Sequence, residues 1–181
     1  MKTSVRRGHR WSVRCLMALA AALTLTQAQA GGGVLNLQKA VPYKPGIEVS
    51  PAVRVECELP KKLAAYTQAA AEDDYGTVNM LESPVTNAPG RTLIMQIVGV
   101  DALAGGNFSG RKGVNIEGKL WEGGKIIGSF QATRYSSGGG GGFSRFKGTC
   151  KILARDVKTL GKDVAEWLAS PSMNARLGEA R

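Results

Sequence analysis

The chain has 181 residues, with 24 Lys and Arg against 14 Asp and Glu, one His and three Cys, and a formal net charge of +10. Its one histidine, His9, lies in the first thirty residues, and the rest of the chain therefore has no imidazole for Ser-His-Asp or Cys-His catalysis or for a histidine metal site. Much of the basicity sits there too, because Lys2, Arg6, Arg7, Arg10 and Arg14 all precede residue 15.

Those residues form a basic n-region ahead of an apolar run from Cys15 to Leu25, too short to span a bilayer comfortably. Ala28-Gln29-Ala30 is a small-x-small cleavage site, so residues 1–30 read as a signal peptide and Gly31 as the mature start. The alternative is an uncleaved anchor. Gly8-His9-Arg10 follows Arg6-Arg7 where a twin-arginine signal has apolar residues, which favours the general secretory route. Cleavage leaves about 150 residues, enough for one core, and roughly halves the net charge.

Residues 31–46 are punctuated by Gly and Pro and read as a flexible leader. Ile47, Val49, Val53 and Val55 alternate roughly and predict a strand over 47–56, with Pro51 placing it at an edge or a bulge and Cys57 closing it. Pro60 opens a shorter helix over 61–74, with Leu63, Tyr66 and Ala70 on its apolar side. Glu72-Asp73-Asp74 at its end lacks the spacing of a cation loop and reads as a solvated terminus.

Thr77–Leu81 reads as a short strand, and 82–90, with Pro84, Asn87, Pro89 and Gly90, as a loop. The run from Thr92 to Leu103 is apolar enough for a central strand buried on both faces. Val114–Trp121 and Ile126–Tyr135 form a hairpin about Glu122-Gly123-Gly124-Lys125. Phe143, Phe146, Cys150, Leu153, Val157, Leu160, Val164 and Trp167 then recur at spacings of three and four, the stripe of a long amphipathic helix ending near Ser170-Pro171. Residues 171–181 read as a fraying tail. The whole predicts a single α+β domain over 47–170. An antiparallel sheet of about four strands packs against the long C-terminal helix and the shorter one.

Two glycine-rich stretches resemble phosphate-binding loops and fail in detail. Gly105–Gly113 lacks Lys-Ser or Lys-Thr directly after Gly110 and leads into a strand, so it reads as a basic hairpin loop. Gly138–Gly142 does precede a helix, but the third glycine of a dinucleotide fingerprint is replaced by Phe143 or Arg145, which leaves a flexible connector. Neither implies a cofactor, and no metal-ligand spacing is present.

With Cys15 in the signal, Cys57 and Cys150 remain, and in an exported chain two cysteines usually pair. A bridge closing roughly ninety residues contributes on the order of 4 kcal/mol in the chain-entropy picture. Two buried free thiols are the alternative. Opposite the helical stripe lie Lys147, Lys151, Arg155, Lys158 and Lys162, a basic ridge suited to an envelope protein or an anionic surface, with ordinary solvated charge as the commoner alternative. Asp156, Asp163 and Glu166 lie nearby in sequence and dilute its field. Too few aromatics accompany it for single-stranded nucleic acid.

The Arg91-Thr-Leu strand opening, Val98-Gly-Val with Leu103-Ala-Gly-Gly, the Gly124–Phe130 strand and the Leu160–Leu168 run carry a family likeness. In these the chain resembles small uncharacterised bacterial periplasmic proteins and lipoproteins of the domain-of-unknown-function kind. That resemblance implies an envelope protein with an α+β fold and no established enzymatic activity, and it transfers no site residue. Many such relatives begin with a lipidated cysteine, which the start at Gly31 does not offer.

The expected function is therefore a periplasmic or secreted, non-enzymatic binding or accessory module of the envelope. The mature part carries no membrane span. The alternative is a hydrolase of cell-wall or extracellular polymer using two of Asp101, Glu117 and Glu122, since paired carboxylates can work without histidine.

Overall fold

The computed structural model describes residues 33–102, 111–137 and 148–180. The expected signal segment, residues 105–110 of the first glycine-rich loop, the Gly138–Gly142 run, Phe143, Phe146 and Lys147 lie outside these. The first strand, β1 (Val34–Gln38), occupies what the sequence marked as a leader. Leu35 and Leu37 are fully buried on one side of it. On the other side the polar Asn36 and Gln38 are buried too, and each is satisfied by later chain. The Asn36 amide donates to the carbonyls of Pro89 and Arg91, and Gln38 Oε1 accepts from the Met95 amide at 2.7 Å. Hydrogen bonding to distant backbone is what lets so polar a segment enter the sheet.

The strand expected over 47–56 is instead helical. Ser50 caps α1 (Pro51–Glu56), its hydroxyl accepting from the Val53 amide, and Pro51 takes a first-turn position where its missing N–H costs nothing. Glu58, with φ of 51°, turns the chain into α2 (Leu59–Ala71). The remaining elements are β2 (Thr77–Leu81), β3 (Arg91–Ala102), β4 (Arg111–Glu122), β5 (Lys125–Ser137), α3 (Thr149–Ala169) and β6 (Ala175–Gly178).

Among the described residues the sheet has six strands in the order β2-β1-β3-β4-β5-β6. The three central strands β3, β4 and β5 are antiparallel, as expected. The flanks are parallel: β1 runs with both β2 and β3, and β6 runs with β5. The sheet is thus mixed and wider than four antiparallel strands, and residues expected to fray form its last strand. The β4–β5 turn uses Gly123 and Gly124 at φ of 55° and 77°, a pair of positive angles that a two-residue hairpin turn demands.

Helices α2 and α3 cover one face. There Leu93, Met95 and Ile97 of β3 meet Ile116 and Leu120 of β4 and Leu153, Val157, Leu160 and Val164 of α3, all buried. The expectation that β3 is buried on both faces is corrected, because Ile94, Gln96 and Val98 on its other side are only half-buried. Phe130 of β5 lies against Trp167 edge-to-face at 4.8 Å. Where α2 crosses α3, a Cβ on Gly161 would lie 2.8 Å from the carbonyl carbon of Tyr66. Cys57 and Cys150 form the disulfide, with Cα atoms 4.8 Å apart, joining the end of α1 to the first turn of α3 across 93 positions. Among the described residues no helix is long and apolar enough to cross a membrane.

Candidate functional site

The outer face of α3 presents Lys151, Arg155, Lys158 and Lys162 at helical spacing, all exposed. None of the four makes a salt bridge among the described residues. Two of the three acids expected to dilute the ridge turn inward. Asp163 receives a two-pronged contact from Arg134, Nε to Oδ2 at 2.7 Å and Nη2 to Oδ1 at 2.6 Å. Asp156 is 4% exposed and accepts from the Ser136 hydroxyl. Of the three, Glu166 alone stays exposed.

Burial pushes the Asp156 carboxyl up to about 6, against the lowering effects of the Ser136 hydrogen bond and the Arg155 charge. Its Oδ2 has no hydrogen-bond partner among the described residues. Lys112, the register partner of Ser136, is buried as well. Sequence reading missed this polar group under α3, because a lone Asp in a helix between Arg155 and Lys158 looks like one more surface charge.

The sheet face away from the helices carries a groove of about 580 Å³. One row of register partners crosses four strands in it: Gln96 of β3, Glu117 of β4, Gln131 of β5 and Arg176 of β6. Ile94, Lys119 and Ser129 form the next row, and Trp121 and Asn174 line the groove as well. Strand alternation builds this. Glu117 and Lys119 point out while Ile116, Gly118 and Leu120 between them are buried toward the helices. Arg176 Nη1 donates to Gln131 Oε1 at 3.3 Å, and Lys44 holds Glu117 at 3.1 Å.

The three candidate acids do not gather. Asp101 stands opposite Gly113, roughly 13 Å along β4 from Glu117, and Glu122 lies roughly 17 Å the other way. Glu122 is instead paired with Arg91 at 3.1 Å, while Asp101 is exposed. A carboxylate pair for glycoside hydrolysis needs about 5–10 Å. Among the described residues no group of three or more His, Cys, Asp or Glu is placed to hold a metal ion.

No family model matches the chain, and no curated protein matches it. Solved structures do. An uncharacterised protein aligns over 77% of this chain and 99% of its own at 13% identity, with a TM-score of 0.50. The PelC dodecamer from Paraburkholderia phytofirmans aligns over 72% and 87% at 11% identity, with a TM-score of 0.47. A Xanthomonas campestris protein of the DUF330 family aligns over 78% and 88% at 11% identity, with a TM-score of 0.45. The chain is thus a mixed-sheet α+β domain whose fold neighbours include an uncharacterised protein.

Proposed function

We propose that this is an exported, non-enzymatic binding module of the bacterial cell envelope, periplasmic or secreted, which docks through the basic ridge of α3 on an anionic partner. The observation that carries the docking face is the stripe Lys151, Arg155, Lys158 and Lys162, exposed and without ion pairs among the described residues, while Asp156 and Asp163 face inward. Cations left in one line by this arrangement act together on a negative surface. The Cys57–Cys150 disulfide supports an oxidising compartment, in keeping with the signal-like first thirty residues. The separation of Asp101, Glu117 and Glu122 supports a binder over the carboxylate hydrolase.

The test is affinity capture from envelope extracts with the protein starting at Gly31, at low and high salt. Capture of one defined partner should weaken as salt rises and be lost in the triple variant Lys151→Glu, Arg155→Glu, Lys158→Glu. Capture indifferent to both salt and charge reversal rejects the ridge. Export is read separately, from the N-terminal mass of the protein recovered outside the cytoplasm.

A further inference from the structure

We propose that the groove on the open face of the sheet binds a short neutral oligosaccharide, at a site distinct from the ridge. Its volume of about 580 Å³ lies in the range of small-molecule sites, roughly 300–1,000 Å³. The row Gln96, Glu117, Gln131 and Arg176 crosses it through three strand spacings, roughly 14 Å, a length for linked rings rather than a single one.

The floor is laid by β3, β4 and β5, strands with a neighbour on each side. Their backbone amides and carbonyls are largely taken up within the sheet, and an extended peptide finds no ladder to join there. Recognition falls to side chains, and amides lead among them. Gln131 Oε1 accepts from Arg176 at 3.3 Å, which leaves the Gln131 NH2 to donate. Asn174, at φ of 56°, is tied twice to Ser129. Its backbone amide donates to the Ser129 hydroxyl at 2.9 Å, and that hydroxyl donates to Asn174 Oδ1 at 3.4 Å, so the Asn174 NH2 is likewise left to donate. Gln96 makes no side-chain hydrogen bond among the described residues and offers both a donor and an acceptor. Glu117, held by Lys44 at 3.1 Å, is an acceptor fixed in place.

Hydroxyls are the ligand groups that use such donors and acceptors together, since each gives one hydrogen and has two lone pairs to accept with. The apolar share comes from Trp121 and Ile94, both half-buried in the groove. A pyranose ring has a C–H face that rests on an indole while its hydroxyls spread to the amides around it. Charge is not what selects this ligand: Glu117 is paired, Arg176 is already engaged, and Lys119 is exposed to solvent.

The probes are an array of neutral oligosaccharides of glucose, galactose, mannose and N-acetylglucosamine, with uronic-acid oligosaccharides as charged controls. The best binder is then titrated calorimetrically into the folded protein. Saturable one-to-one binding that persists at high salt is expected. Trp121→Ala should weaken it at least tenfold, and Gln131→Ala about fivefold, the worth of one hydrogen bond. Trp121→Phe keeps an aromatic face and should stay within about threefold of wild type, a measurement that stands even where the alanine variant fails to fold. Binding should shift the tryptophan emission of the wild type and leave that of Trp121→Phe unchanged, because Trp167 is buried away from the ligand. The ridge triple variant should bind the sugar as the wild type does, so that the groove and the ridge stand or fall separately.

Failure of every neutral sugar in the array to bind overturns the proposal. Binding that Trp121→Ala and Gln131→Ala leave unchanged overturns it too, as does binding confined to the uronic-acid controls. Loss of binding in the ridge variant moves the site to α3 and overturns it. A dimer whose formation excludes the sugar assigns the groove to a second copy of the chain, and overturns it as well.

Discussion

Gly161 sets two large effects against each other, and the structure decides between them. Alanine there should help α3 as a helix by about 0.9 kcal/mol, the interior penalty of glycine. Against this, its Cβ would lie 2.8 Å from the Tyr66 carbonyl carbon, 2.9 Å from the Thr67 amide nitrogen and 3.0 Å from the Tyr66 Cβ. Two of these three are backbone atoms, which no rotamer change can move aside. Ordinary contact therefore requires α2 to withdraw from α3 by roughly half an ångström, in a close-packed interior where overpacking costs about 1–3 kcal/mol. The net expectation for Gly161→Ala is a loss of about 1 kcal/mol, and Gly161→Val should lose clearly more. For a domain of this size that is roughly 2–4 °C for alanine in a thermal melt, checked by urea unfolding with an unchanged slope. A Gly161→Ala protein that melts higher than wild type would show that helix propensity governs this site, and the packing argument would fail.

Removing the disulfide, by Cys57→Ala with Cys150→Ala or by reductant, should lower the melting temperature by about 10 °C, since a loop of 93 positions is worth roughly 4–5 kcal/mol; a shift of under 3 °C would contradict this. The Asp156 carboxyl, raised to about 6 from an ordinary 3.8, binds its proton more tightly in the fold than in the unfolded chain. Its contribution is thus full below about pH 4 and declines as pH rises through 6, and Asp156→Asn should gain on wild type by up to about 3 kcal/mol between pH 4 and pH 8. A difference that stays flat across that range would refute the assignment. Asp163→Asn weakens the two-pronged contact with Arg134 and should cost about 1–2 kcal/mol in chemical denaturation, a loss that high salt reduces only in part because Asp163 is 12% exposed.

What could be read from the chain alone follows the range of the interactions involved. The β4–β5 hairpin was legible because its two glycines and alternating flanks are local, and α3 because its stripe repeats over five turns. The shorter helix appeared within two or three residues of its true ends. The Cys57–Cys150 pair followed from assigning Cys15 to the signal-like segment and from the tendency of two cysteines in an exported chain to pair. By contrast β1 hid because Asn36 and Gln38 look like loop residues until Pro89, Arg91 and Met95 are brought to them. Pro51 misled because proline breaks a strand and starts a helix equally well, and only the Ser50 cap tells which. Of the candidate site residues, four of the ridge cations were visible as helical spacing and lie as expected, while Lys147 lies outside the described residues. The groove was not visible at all. Its central row takes one residue from each of four strands, and no window of sequence contains Gln96, Glu117, Gln131 and Arg176 together.

The parallel flanks of the sheet bear on how the chain assembles. The β3–β4–β5 meander needs only neighbouring turns, so it is the part able to form early. Its two outer edges must then wait for distant partners: β1 meets β3 across 56 positions, and β6 meets β5 across 45. Until those arrive, each edge offers unpaired amides and carbonyls to any passing strand, including those of other copies. A four-residue segment at the very end of the chain is what shields β5. A chain cut after Ser170 keeps all three described helices and five of the six described strands, yet it exposes a long edge to self-association. The last strand thus covers the edge of β5 as well as packing Ala175 and Leu177 against the core.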